Sequence, residues 1–177
     1  MNLANKITLL RILLIPVFLV ILLGNFPMGQ YIAAIIFIVA ACTDGLDGYI
    51  ARKRNQITTV GKFLDPLADK LFITSALISL VELGMISSVV AIIIVSREFI
   101  ITGFRVIAAS KGVVIAASGW GKLKTVTQIV AIAAILLDNF PFYLIGFPFS
   151  DIMVILAVIF TVISGVHYIY RNRNVVT

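Results

Sequence analysis

Long apolar runs, broken by short polar or turn-forming segments, fill the 177-residue sequence. Each run has about the 20 residues that a helix needs to cross the hydrocarbon core of a bilayer. The breaks hold the proline, glycine and serine residues that favour turns. The pattern predicts an all-α integral membrane protein with six transmembrane helices. The predicted helices lie at about residues 5–24, 31–54, 60–82, 85–110, 119–139 and 149–171.

Composition agrees with a membrane environment rather than a soluble one. Apolar residues make up 61% of the chain, against about half in soluble domains, and the mean hydropathy is +1.14. Six spans with short loops use the whole length, so we expect a single transmembrane domain over residues 1–177. The first apolar stretch lacks a small-x-small cleavage motif, and we therefore expect it to remain in the protein as a span.

Lysine and arginine fall on alternate connections between the predicted helices. Basic residues in short loops are retained on the cytoplasmic side of a membrane, so we predict a multi-pass protein of the cell membrane with both termini in the cytoplasm. The basic edge would also attract anionic membrane lipid, which accounts for the net charge of +6 without a nucleic-acid partner. The residues of this edge are Lys6, Arg11, Arg52, Lys53, Arg54, Lys62, Lys111, Lys122, Lys124, Arg171 and Arg173.

Four of the eight acidic residues lie in one short window, at Asp44, Asp47, Asp65 and Asp69. Intramembrane carboxylates cost several kcal/mol unless they are paired, metal-bound or hydrated. Helical spacing places each pair on one face of its span, and the basic loop between the spans brings both pairs toward the cytoplasmic edge. Divalent cations would relieve the repulsion among four carboxylates. Oxygen ligands suit hard ions such as Mg²⁺, Mn²⁺ or Ca²⁺, and magnesium indicates a phosphorylated substrate.

Glycine and arginine accompany these carboxylates. Gly48 and Gly61 disfavour a helix but let a bulky ligand approach the backbone, and Arg52 carries a planar fork that binds phosphate. One alternative is that Asp44 and Asp47 form buried ion pairs with Arg52 and Lys70. A second alternative is an ion- or proton-coupled transporter, although the acids cluster at one membrane edge and no inverted repeat is visible.

The same window resembles the signature of the CDP-alcohol phosphatidyltransferase family. The signature reads Asp-x-x-Asp-Gly-x-x-Ala-Arg, eight residues, then Gly-x-x-x-Asp-x-x-x-Asp, and the chain fills every fixed position of it. Such a long set of fixed residues is a far more specific signal than a lone glycine motif. The matching residues are Asp44, Asp47, Gly48, Ala51, Arg52, Gly61, Asp65 and Asp69.

The resemblance implies a metal-dependent membrane enzyme that uses Mg²⁺ or Mn²⁺ and CDP-diacylglycerol. Family members are six-span enzymes, commonly homodimers, whose active site faces the cytoplasm. By the same resemblance Asp69 acts as the catalytic base and also belongs to the metal site, where Asp44, Asp47 and Asp65 are the main ligands. The residues expected to bind the CDP-lipid are Asn5, Thr8, Asp44, Gly48, Arg52, Gly61 and Asp65; a helix cap explains Asn5 and Thr8 nearly as well.

Three further stretches are similar to family members that use a glycerol phosphate: residues 2–16, 97–105 and 121–125. The resemblance implies sn-glycerol 3-phosphate as the acceptor, giving phosphatidylglycerophosphate and CMP. Another alcohol, such as inositol phosphate or serine, remains the alternative.

A dianionic acceptor entering a carboxylate-lined cavity needs cations of its own. We predict that Arg97, Arg105, Lys122 and Lys124 bind its phosphate. Contact with lipid headgroups is the alternative for the lysines, and a buried ion pair with Glu98 is an equal alternative for Arg97.

Overall fold

The computed structural model is all-helical over the residues it describes. Six α-helices and one short 3₁₀ helix occur there, without any strand, so the all-α prediction is confirmed for this part of the chain. The backbone is described for residues 3–24, 26–53, 59–113, 115 and 118–173, and the side chains for those residues other than 3–7, 44–53, 59–66 and 69. The helices are α1 (Leu3–Leu23), α2 (Gly29–Lys53), α3 (Thr59–Glu82), α4 (Ser88–Ser110), α5 (Gly119–Leu136) and α6 (Phe149–Arg171), with the 3₁₀ helix at Phe142–Ile145.

The predicted helix bounds differ most at the start of α4 and the end of α5. We predicted that α4 begins at residue 85, but Ser87 caps it by accepting a hydrogen bond from the Val89 amide at 3.3 Å, so the helix starts at Ser88. We predicted that α5 ends at residue 139. Asp138 and Asn139 instead have φ of 53° and 58°, a left-handed conformation that an α-helix cannot continue.

The chain forms two compact units, of which the first comprises Met1–Met85 and Ile135–Asp138. Its core is an aromatic cluster with one phenylalanine from each of α1, α2 and α3. The ring of Phe72 lies 5.4 Å from that of Phe18 and 5.7 Å from that of Phe37, measured between centroids. Fully buried alanines, including Ala33, Ala34 and Ala76, allow close helix packing of the kind that small residues permit in membranes.

The second unit comprises Ile86–Ala134 and Asn139–Thr177. Within it α4 packs against α6, and Phe104 meets Tyr168 edge to face at 5.9 Å. The connection before α6 is held by Asn139, whose amide nitrogen donates to the Phe147 carbonyl at 2.7 Å and whose amide oxygen accepts from the Ser150 amide at 3.0 Å. The second unit therefore has its own ordered core and loop.

Large apolar side chains are exposed on both units. Leu13 is 58% exposed, Ile78 60% and Ile92 62%, as expected for helices that face lipid. Among the described residues one helix, α6, is long and apolar enough to cross a bilayer, with a mean hydropathy of 2.4 over its best window. Two shorter apolar segments lie at Thr8–Leu23 and Gly29–Thr43. The six-span topology and the cytoplasmic termini stay predictions.

Candidate active site

All four aspartates of the signature lie on helical backbone. Positions 44 and 47 belong to the last part of α2, and positions 65 and 69 belong to the first half of α3. Their side chains are outside the part that the structure describes, as are those of Asn5 and Arg52 and the surroundings of Gly48 and Gly61. Among the side chains it does describe, no three His, Cys, Asp or Glu residues group together. The metal site thus stays a prediction.

The aromatic cluster sets the register of the two aspartate-bearing helices. Only residues 54–58 separate α2 from α3, so α3 returns alongside α2 in the opposite direction. Position 44 is seven residues after Phe37, and position 65 is seven residues before Phe72. Seven residues make nearly two helical turns, or about 10 Å. Because the rings of Phe37 and Phe72 stack, positions 44 and 65 lie at equal height above the cluster, each on its helix's ring-bearing face.

Helix α1 contributes a buried polar face at the same height. Thr8 is 2% exposed and Arg11 is 3% exposed; they are three residues apart and therefore share a face. Arg11 is seven residues before Phe18 of the aromatic cluster, and α1 is antiparallel to α2. Arg11 therefore lies level with positions 44 and 65. Arg11 was predicted to lie on the basic edge, and its burial was not predicted, although its spacing from Thr8 indicates a shared face.

In the second unit a shared carboxylate joins two of the predicted acceptor ligands. The Glu98 Oε1 accepts from Arg97 Nη1 at 3.2 Å and from Lys124 Nζ. Lys124 is only 3% exposed, and the side chains of Arg97 and Glu98 are 15% and 20% exposed. Two cations and one carboxylate thus meet in one cluster, Arg97–Glu98–Lys124. The ion pair with Glu98, given above as the alternative for Arg97, is thus present, while its third member, Lys124, was not predicted.

Two glycines lie against the side chain of Arg97, and the one at Gly165 makes room for its aliphatic stem. A Cβ at Gly165 of α6 would stand 3.2 Å from Arg97 Cγ, and one at Gly121 of α5 would stand 3.9 Å from Arg97 Nη2. The Arg97 side chain therefore runs from α4 between α5 and α6. Its Nε is buried and has no hydrogen-bond partner among the described residues.

The other two predicted acceptor ligands lie apart from this cluster. Arg105 Nε donates to the Tyr168 hydroxyl at 3.1 Å, and its guanidinium lies over that ring, 5.4 Å from the centroid. Lys122 is exposed. No contact within the described part of the chain joins either residue to Glu98.

Comparison with known proteins decides the family. The sequence profile described as CDP-alcohol phosphatidyltransferase matches residues 1–163. The chain belongs to the CDP-alcohol phosphatidyltransferase family. Like other members, it is a membrane-bound phosphatidyltransferase of a family that generally depends on divalent metal. Membership confirms the resemblance drawn from the aspartate signature and favours the transferase over the transporter.

Relatives within the CDP-alcohol phosphatidyltransferase family match almost end to end. The CDP-diacylglycerol–glycerol-3-phosphate 3-phosphatidyltransferase of Bacillus subtilis (strain 168) is 49% identical over 183 residues, covering 97% of this chain and 95% of the relative. The probable phosphatidylglycerophosphate synthase of Mycobacterium tuberculosis H37Rv is 40% identical, covering 96% and 81%. A Haemophilus influenzae protein with the same name as the Bacillus relative is 37% identical, covering 95% and 91%.

Proposed function

We propose that this protein transfers the phosphatidyl group of CDP-diacylglycerol to sn-glycerol 3-phosphate, giving phosphatidylglycerophosphate and CMP. The observation that carries this proposal is the 49% identity, over 97% of the chain, to a Bacillus subtilis enzyme named for those two substrates. The cationic cluster Arg97–Glu98–Lys124 supports it, because an acceptor that brings its own phosphate needs positive charge apart from the metals.

The aspartates supply a donor set that suits Mg²⁺ or Mn²⁺. All four candidate ligands are carboxylates, which hard divalent ions prefer, and the equal height of positions 44 and 65 supports their convergence. Asp44, Asp47, Asp65 and Asp69 would hold the metal, which would polarise the diphosphate and stabilise the departing CMP. Arg11, buried at the same level, adds positive charge toward the diphosphate. The remaining CDP-lipid contacts are proposed for Asn5, Thr8, Gly48, Arg52 and Gly61.

Asp69 is proposed as the base. The primary hydroxyl oxygen of the acceptor forms a bond to the phosphorus that carries diacylglycerol, and the bond from that phosphorus to CMP breaks. The hydroxyl proton passes to the Asp69 carboxylate as the new bond forms. Asp69 is one turn after Asp65 and three residues before Phe72, which is 3% exposed. The packing of Phe72 therefore fixes the rotation of the helix segment that carries the base.

The acceptor phosphate is proposed to bind Arg97 and Lys124, with Arg105 and Lys122 as outer cations. Arg97 and Lys124 are mostly buried and both contact the Glu98 carboxylate, so both side chains are already ordered before a ligand arrives. Preorganisation of this kind lowers the entropic cost of binding. We further propose a homodimer with six spans and an active site on the cytoplasmic side of the cell membrane, where glycerol 3-phosphate and membrane lipid are both accessible.

The test is release of CMP by the purified protein in detergent with CDP-diacylglycerol and one acceptor at a time. Glycerol 3-phosphate should give release that depends on Mg²⁺ or Mn²⁺, whereas inositol phosphate and serine should give little above the rate without acceptor. Release that is fastest with inositol phosphate or serine would contradict the choice of acceptor. Release with no acceptor preference would contradict the proposal of an acceptor phosphate site.

A further inference from the structure

Gln128 of α5 is a fully buried amide whose hydrogen-bonding capacity is unused. Its side chain is 0% exposed, and within the part of the chain that the structure describes neither Nε2 nor Oε1 has a hydrogen-bond partner. A buried polar group left unpaired costs about 1–3 kcal/mol. The neighbouring Thr127 is also buried, but its polar group is paired within its own helix. Its hydroxyl donates to the Leu123 and Lys124 carbonyls at 3.0 Å. The buried amide of Gln128 therefore destabilises the fold unless a ligand forms hydrogen bonds with it.

The position of Gln128 on α5 links it to the cluster Arg97–Glu98–Lys124. Gly121, Lys124 and Gln128 are spaced by three and four residues, so they share one helical face. Gly121 lies against Arg97, and Lys124 contacts Glu98. Gln128 comes one turn further along, about 6 Å deeper by the helical rise. One face of α5 thus carries Lys124 and then the unpartnered amide of Gln128, and the Arg97 side chain of α4 lies beside its first turn.

We propose that Gln128 recognises the secondary hydroxyl of glycerol 3-phosphate while Arg97 and Lys124 hold its phosphate. A hydroxyl both donates and accepts, and a carboxamide offers both complements: Oε1 accepts from the hydroxyl and Nε2 donates to its oxygen. The secondary hydroxyl is on the middle carbon, close to the phosphate, which fits one helical turn between Lys124 and Gln128. The primary hydroxyl stays available for the reaction. This inference rests on the proposed acceptor, and it makes Gln128 a specificity-determining residue.

A pair of acceptors that differ by one hydroxyl provides the test. 3-Hydroxypropyl phosphate keeps the phosphate and the primary hydroxyl of glycerol 3-phosphate but lacks the secondary hydroxyl. A site that hydrogen-bonds a substrate hydroxyl rejects the analogue without it. We expect the wild-type protein to prefer glycerol 3-phosphate by roughly 10- to 100-fold or more in kcat/KM. Gln128→Leu should bring that ratio close to one, mainly by slowing glycerol 3-phosphate, and should leave the KM for CDP-diacylglycerol unchanged.

Two controls separate a loss of acceptor recognition from a loss of folded structure. Thr127→Val changes the adjacent residue, which is 6% exposed and already bonded to its own helix, and it should keep the wild-type preference. Gln128→Leu should melt at or above the wild-type temperature, because an apolar side chain of similar shape removes an unpaired buried amide. Should the leucine variant show no thermal transition, Gln128→Met replaces it with the same expected and contrary results.

The outcomes are distinct. A Gln128→Leu protein that retains the wild-type preference for glycerol 3-phosphate would overturn the inference and assign the amide to a bound water or to packing. A wild-type protein that does not discriminate between the two acceptors would also overturn it. A wild-type protein that releases no CMP with glycerol 3-phosphate would instead contradict the proposed function.

Discussion

Lys122 and Lys124 offer a matched test of the acceptor site, because they are two residues apart and differ in surroundings. Both are basic residues near the start of α5, and the sequence alone treats them alike. Lys124 is 3% exposed and bonded to Glu98, whereas Lys122 is exposed. If Lys124 binds the acceptor phosphate, Lys124→Gln should raise the KM for glycerol 3-phosphate and leave the KM for CDP-diacylglycerol nearly unchanged.

The size of the effect follows from the contact that is lost. A hydrogen bond to a charged group contributes about 1.5–3 kcal/mol, which corresponds to roughly a 10- to 100-fold loss of kcat/KM for the acceptor. Lys122→Gln should change the same quantity by no more than about threefold, since exposed charges contribute about 0–1 kcal/mol. A steady-state assay of CMP release at saturating CDP-diacylglycerol measures both variants.

Loss of folding must be separated from loss of binding in this comparison. Lys124→Gln removes one of the cations that contact Glu98, so some thermal destabilisation is expected. The KM for CDP-diacylglycerol and the melting temperature in detergent measure how much of the loss of activity comes from destabilisation of the fold. Equal acceptor kinetics in the two lysine variants, or an effect of Lys124→Gln on CDP-diacylglycerol alone, would refute the phosphate-binding role.

Three other predictions concern the aspartate end of the molecule. Asp69→Asn should lower kcat by about 100- to 10,000-fold yet retain CDP-diacylglycerol binding. Asp65→Asn should instead weaken that binding, measured with labelled lipid. An equal loss of binding in both variants would contradict the assignment of Asp69 as the base. Chelation should abolish CMP release and Mg²⁺ or Mn²⁺ should restore it, so full turnover after exhaustive metal removal would exclude the metal site. Phe72→Ala should destabilise the protein by on the order of 3 kcal/mol, which a lower melting temperature would show. Leu71→Ala, at a position that is 43% exposed, should change the melting temperature little. Similar melting temperatures for the two variants would contradict the role of the aromatic cluster.

The helices could be predicted from the sequence because apolar runs and their breaks carry most of the information. Long apolar runs and the turn-forming residues between them predicted five of the helix ends to the residue, at 82, 110, 119, 149 and 171. The start of α4 was missed because it depends on which of two adjacent serines caps the helix, and Ser87 does so. The end of α5 was missed because backbone φ at Asp138 is not visible in the residue type.

Within the candidate site, only contacts between residues close together in the sequence could be predicted. The adjacency of Arg97 and Glu98 made their ion pair foreseeable, but the third member, Lys124, is 26 residues further along the chain. Arg105 and Tyr168 are 63 residues apart, and nothing in the sequence pairs them. The burial of Arg11 follows from helix packing and was likewise not predicted. Contacts between helices need the tertiary arrangement, which apolar periodicity alone does not determine.

The identity of the lipid product tests the central claim most directly. The purified protein would be given CDP-diacylglycerol, Mg²⁺ and an equimolar mixture of glycerol 3-phosphate, inositol phosphate and serine, and the lipids would be identified by mass spectrometry. The account predicts phosphatidylglycerophosphate as the dominant product, with CMP in equal amount, and its absence when Asp69→Asn replaces the wild-type protein. A dominant lipid carrying inositol phosphate or serine, or undiminished product from Asp69→Asn, would contradict it.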